Sequence, residues 1–308
     1  MIARAVLLLV ALLPFAAAAQ SISWGPIWEA TSSSGKAYIA ASTHPNGHRE
    51  LVLSAIAVRA LTDSDLIALE RLPAAFQSPE QKTRSEAVSK MMFRPENTSL
   101  LDDIPPELAT RLQSLLKAHD VPERGWEMVR KTRTPMVPEV LAFLLARYGD
   151  TSVTLEHPGA DEIYLRFARD NKVALEEVES AIVSMTSRLS VSTPETIAFI
   201  TRQLDESERP DAKARHAAKL IETLEVIYSG NVDRIYAAQR RESCNTPALA
   251  AYCDKVVDGR NAQMAERIDA LVKTGRRPFV AVGALHLAGP ASIQSELAKK
   301  GYTLRRLD

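Results

Sequence analysis

The chain has no excess of either charge: across 308 residues, 38 lysines and arginines balance 38 aspartates and glutamates. Without a basic stripe or an acidic tail, nucleic acid is not an expected partner, and neither is an anionic membrane surface. Cysteine is nearly absent, with only Cys244 and Cys253. Two thiols without clustered histidines nearby do not suggest a sulfur-ligated metal. Beyond the first residues no apolar stretch is long enough for a membrane helix, so stable membrane insertion is not expected.

What is present starts at the N-terminus. Met1-Ile2-Ala3-Arg4 supplies a positive region, Ala5 to Ala19 an apolar run broken by Pro14, and Ala17 and Ala19 the small residues of a cleavage site. This reads as a secretory signal peptide over 1–19, giving an exported protein, periplasmic or secreted. No cysteine follows the cleavage site to carry a lipid anchor. In an exported chain, Cys244 and Cys253 at short spacing read as a local disulfide. The remaining residues, 20–308, are read as a single domain.

The most informative segment lies near the other end. Arg277-Pro278-Phe279-Val280-Ala281-Val282-Gly283-Ala284-Leu285-His286 is an apolar, β-branched run that stops at glycine and then delivers a histidine. Such a pattern is a buried strand presenting an imidazole at its end. Lys36 to Ser42, followed by Thr43-His44, repeats the design with Ala41 in the place of Gly283. A third short run, Leu66 to Leu69, ends at Glu70, and a fourth, Lys172 to Leu175, at Glu176.

Between these runs the chain is mostly helical. Helices are expected over about 50–61, from Pro106 to Ala118, Pro138 to Arg147, Gly159 to Asp170, almost throughout 178–274, and from Pro290 to Lys300. Residues 73–98 are polar and read as a peripheral irregular insertion, with helical capacity around Ser85 to Met92. Tyr302 to Leu307 is a closing strand.

The closing segment resembles the TraB/GumN family, which includes the TIKI metalloproteases. The resemblance rests on Arg260-Asn261, Met264 and Glu266-Arg267-Ile268, then Gly283 to Gly289 and Gly301-Tyr302-Thr303. Ser99 to Leu112 and the Gly159-Ala160-Asp161 helix also fit. It implies a mixed α/β fold like that of erythromycin esterase and ChaN-like proteins, with short strands surrounded by many helices. It also implies an active centre built from His44, Glu70 and His286, with Glu176, Arg260 and Asn261 at further matching positions. Two departures stand out: Ala41 replaces the first motif's glycine, and Thr134-Pro135-Met136 stands where Lys-Pro-Trp is expected.

Two imidazoles and a carboxylate suit a divalent transition metal such as manganese, cobalt or zinc. His44, His286 and Glu70 are its expected ligands. The chemistry expected is hydrolysis of an amide or ester, most simply in a peptide or other small polar substrate. Glu176 would be a general base or a partner behind the ligands, and Arg260 would stabilise an oxyanion or the substrate carboxylate, with Glu70 beside them. The alternative is a non-catalytic envelope protein, linked to polysaccharide assembly, that binds through the same cleft.

Overall fold

A computed structural model describes residues 21–43, 48–148 and 156–308. The expected signal peptide and His44 lie outside the described residues. Among the described residues eight strands are present: β1 (Ile22–Trp24), β2 (Ile27–Ser32), β3 (Gly35–Ser42), β4 (Leu51–Leu53), β5 (Leu66–Leu69), β6 (Ala174–Glu177), β7 (Pro278–Gly283) and β8 (Thr303–Arg306). Strands β1 and β4 form a small parallel pair, and the other six make one mixed sheet in the order β6-β5-β7-β3-β2-β8. Strands β6, β5, β7 and β3 run parallel, while β2 is antiparallel to both β3 and β8. The protein is therefore mixed α/β, as the strand-and-helix pattern predicts.

The central strands read as continuous apolar runs because helices cover both faces of a parallel sheet. In β7, Pro278 through Val282 are all buried, and in β3 so is every residue from Ala37 to Ser42. Strand β2, by contrast, shows partial alternation, with Ile27 and Ala30 buried and Trp28, Glu29 and Thr31 more open. Ile27–Ser32 is the first arm of a β2–β3 hairpin.

The helices, in chain order, are α1 (Ala55–Asp63), α2 (Pro79–Lys90), α3 (Pro106–Ala118), α4 (Glu123–Lys131), α5 (Val137–Tyr148) and α6 (Ala160–Asn171). After β6 come α7 (Ala181–Leu189), α8 (Thr193–Ser207), α9 (Ala212–Tyr228), α10 (Val232–Ser243), α11 (Pro247–Cys253), α12 (Gly259–Lys273) and α13 (Ile293–Lys299). The helix expected from residue 50 begins later, at Ala55. Leu51–Leu53 pairs with β1 instead, and the Ser54 side chain caps the helix by accepting from Ala57 N. The insertion at 73–98 holds more order than expected, since Ser78 and Gln81 form a reciprocal capping box that starts α2 at Pro79.

Among the described residues apolar packing forms two large clusters and a small one around Cys244, Tyr252 and Cys253. The sheet and its helices share one core, to which α12 contributes Met264, Ala265, Ile268 and Val272, and α6 contributes Tyr164, its ring 5.0 Å from that of Phe279. A separate core is all helical, with Leu108, Leu112 and Leu116 of α3 meeting Trp126, Leu141, Leu144, Ile200 and Leu204. Between α11 and α12 the chain does not break but widens into a single π-helical turn, Asp254–Asp258. The Cys244–Cys253 disulfide clamps the end of α10 to this region, and Arg240 adds ion pairs to Asp254 at 2.6 Å and to Asp258.

Candidate functional site

All four parallel strands end at one edge of the sheet, the position where open α/β sheets place their ligands. The residues that follow them keep the ladder going for one more step. Glu70 N donates to Ala281 O at 3.0 Å, Val178 N to Leu69 O at 2.9 Å and Glu179 N to Glu70 O at 3.1 Å. This brings Glu70 after β5, Glu179 after β6 and His286 after β7 to one place. His286 sits in a short 3-10 turn, Ala284–Leu287, immediately beyond Gly283.

Arg260, the second residue of α12, enters this group from above. Its Nη1 donates to Glu70 Oε1 at 3.1 Å and to both oxygens of Glu179 at 2.9 and 2.8 Å. Its Nη2 lies 3.0 Å from His286 Nε2, and its Nε donates to Val256 O in the π turn at 2.6 Å. The cluster is buried: Asn261 is 0% exposed, Glu179 2%, His286 3%, Arg260 5% and Glu70 7%. Two carboxylates share one guanidinium out of water. Such an arrangement is strongly destabilised when a single partner is removed.

The imidazole's tautomer follows from its neighbours. Ala291 O can only accept, so the Asn261 amide nitrogen, 2.8 Å away, donates to it. Asn261 Oδ1 therefore faces His286 Nδ1 at 2.6 Å and accepts its proton. In the neutral ring this leaves the lone pair on Nε2, where Arg260 Nη2 donates to it. His286 Nε2 is also 3.7 Å from Glu70 Oε2.

Gly283 serves this cluster by its size. Its φ is −50°, which any residue adopts, but an added Cβ would lie 3.3 Å from Glu70 Oε2 and 3.6 Å from His286 Cδ2. Its N–H donates to the same carboxylate oxygen at 3.2 Å. The matching end of β3 tolerates alanine for a different reason. The register pairs Ser42, not Ala41, with Gly283, and Ala41 has no positive φ. Beyond it, Ser42 Oγ bonds Asp161, and Thr43 Oγ1 accepts from Ala160 N at 3.0 Å, bolting the start of α6 to the strand end.

Of the residues expected here, Glu70, Arg260 and His286 are brought together, with Asn261 behind the histidine. Glu176 is not among them. It lies within β6, which runs two residues further than the sequence pattern suggests, and its carboxylate pairs instead with Arg267 at 3.2 Å on the surface. Glu179, not singled out in the sequence, takes the buried place. His48, four residues after His44, lies 3.1 Å from Glu225 and away from this group. Thr134, in the departure from Lys-Pro-Trp, is buried and donates to Asp103 Oδ2 at 2.6 Å.

A transition-metal site needs three or more donors facing one point. Among the described residues no group of three histidine, cysteine, aspartate or glutamate side chains is so arranged. Arg260, a permanent cation, bonds His286 Nε2 and Glu70 Oε1, while Glu70 Oε2 accepts from Gly283 N. With His44 outside the described residues, His286 and Glu70 are the two expected ligands in view, 3.7 Å apart.

The model of the TraB/PrgY/gumN family matches residues 26–306, nearly the whole chain, and the protein belongs to that family. Comparison with curated proteins gave no match, and none came from solved structures.

Proposed function

We propose, from membership of the TraB/PrgY/gumN family and from the geometry at the sheet edge, that this is an exported hydrolase cutting an amide bond in a peptide substrate. One observation carries the reading: Asn261 fixes the lone pair of His286 on Nε2, within one hydrogen bond of the Arg260 guanidinium. A lone-pair nitrogen can take a proton from an attacking water, and a guanidinium N–H can stabilise the oxyanion that forms on the carbonyl. Substrate entry requires the planar Arg260 guanidinium to shift as one unit off His286 Nε2, loosening its bonds to Glu179 and Val256 O with it. Glu70 then sits between the two groups, holding the remaining charge of Arg260. Export is supported by the N-terminal sequence and by the disulfide.

A second reading, a non-catalytic envelope protein, is favoured by how completely the buried side chains bond one another. A peptide-library cleavage assay on the purified mature protein separates the two, run with and without manganese, cobalt or zinc. Dependence on such a metal through His44, His286 and Glu70 would require Arg260 to leave both described donors. Cleavage by the wild type that falls about 10²- to 10⁴-fold in His286→Gln supports the hydrolase. No turnover under any condition leaves the binding protein.

A further inference from the structure

We propose that the cleft between α6 and the chain following β5 anchors a peptide through a carboxylate, which deepens the hydrolase reading and rests on it for what happens to the bound chain. The cleft encloses about 600 Å³, within the range of roughly 300–1,000 Å³ typical of small-ligand sites. One wall is a single face of α6, where Glu162, Leu165, Arg166 and Arg169 recur at helical spacing. The other is Leu69, Arg71, Leu72 and Phe76.

Its position ties it to the polar cluster. Glu70 turns to Arg260, while its neighbours Leu69 and Arg71 line the cleft on the α6 side. Asp161, which also lines the cleft, bonds Ser42 at the end of β3. One residue separates the cleft from the cluster along β5.

Its chemistry selects the ligand. Arg71, Arg166 and Arg169 surround an apolar floor, and Phe76 is an aromatic left 39% exposed. The arginines are loosely paired. Arg166 Nε is 3.8 Å from Glu162, and Arg169 turns to its own neighbour Asp170. Arg71 Nε is buried without a hydrogen-bond partner among the described residues, 4.0 Å from the Glu177 carboxylate. The Arg166 and Arg169 pairs are exposed and contribute little, so exchanging them for a ligand's carboxylate costs little. A carboxylate can meet a guanidinium with two charge-assisted bonds, while Phe76 and Leu165 take an apolar side chain next to it. A peptide offers both, its carboxylate coming from the C-terminus or from an acidic residue.

Calorimetric titration of the purified wild type tests this independently of turnover. The probes are N-acetyl-Ala-Leu-Leu as the free acid, the same peptide as its C-terminal amide, N-acetyl-Ala-Glu-Leu-amide, and trigalacturonate. At least one peptide carboxylate is expected to bind about tenfold or more tighter than the uncharged amide. The preference should shrink with added salt and vanish in Arg71→Gln/Arg166→Gln, with binding of the amide unchanged. The free acid and the glutamyl peptide distinguish a terminal from a side-chain carboxylate. Equal binding of acid, glutamyl peptide and amide overturns the proposal, as does a preference that survives in the double variant, or binding of trigalacturonate alone. Carboxylate-selective binding without cleavage would sink only the hydrolase reading, and cleavage without carboxylate preference only this one.

Discussion

Glu176 and Glu179 lie three residues apart, and each reaches an arginine of α12, yet the two ion pairs live in different solvents. Glu176 and Arg267 are 42% and 44% exposed, with one contact at 3.2 Å. The side chains of Glu179 and Arg260 are 1% and 6% exposed, with contacts at 2.9 and 2.8 Å. In water, conformational freedom and screening cancel most of the attraction, leaving about 0–1 kcal/mol. Out of water neither partner can be hydrated, so each depends on the other. A third pair, Arg94–Asp103, lies between these extremes, with Arg94 10% and Asp103 36% exposed. The same residue types thus do three different jobs, and burial decides which.

The sharpest way to break the contrast is Arg260→Met, which leaves Glu70 and Glu179 buried around an apolar side chain. A loss of about 3–5 kcal/mol is expected in urea unfolding. Adding Glu70→Gln and Glu179→Gln should recover much of it, since the uncompensated charges are then gone. A loss under about 1 kcal/mol from Arg260→Met alone would mean that water reaches the cluster.

Gly283→Ala probes the cluster without removing a charge. The new Cβ, 3.3 Å from Glu70 Oε2, must push the carboxylate off its bond from residue 283 N. A cost of about 1 kcal/mol is expected, with a larger proportional loss in any turnover. Unchanged stability and unchanged turnover together would show that Glu70 has room to spare.

The intermediate pair predicts a pH effect. The Arg94 guanidinium, and after it the Thr134 hydroxyl, hold the Asp103 carboxyl below its ordinary 3.8. A depressed folded-state value means stability present above the unfolded value and lost as pH falls through the folded one. Asp103→Asn should therefore flatten the acid limb of the stability curve below about pH 4 and leave the slope at neutral pH unchanged. An acid limb that stays as steep as in the wild type would put its origin elsewhere. Smallest of all, Glu176→Gln and Arg267→Ala should each stay within about 0.5 kcal/mol of wild type, and a larger shift in either would erase the distinction between the two faces of the β6 end.

These differences explain what could be seen in the residues alone. Strands β3, β5 and β7 were legible because burial on both faces leaves uninterrupted apolar runs, and Glu70 and His286 because each ends one. Arg260 and Asn261 were found through the family resemblance, since nothing in a helical pattern marks an inward arginine. Glu179 was missed because Glu176, Glu177 and Glu179 are alike as letters. A two-residue shift in where β6 ends decides which one turns inward, and strand ends are set by pairing with β5, not by local preference. One signal was available: Glu179 directly precedes Ser180, whose side chain caps α7, so it occupies a strand-to-helix junction like that of Glu70. Hairpin arm β2 escaped because its more open residues, Glu29 and Thr31, interrupt the apolar pattern.

The widened turn at Asp254–Asp258 sets the phase of everything after it. Each residue of an α-helix advances the azimuth by about 100°, and a π turn holds one residue more than an α turn. Arg260 and Asn261 therefore emerge about a quarter-revolution away from where an uninterrupted helix from α11 would aim them. Removing one residue from the turn would make the helix more regular and at the same time rotate its only buried guanidinium off both glutamates. In this stretch the quality of the helix and the direction in which it points are separate quantities, and the extra residue trades the first for the second.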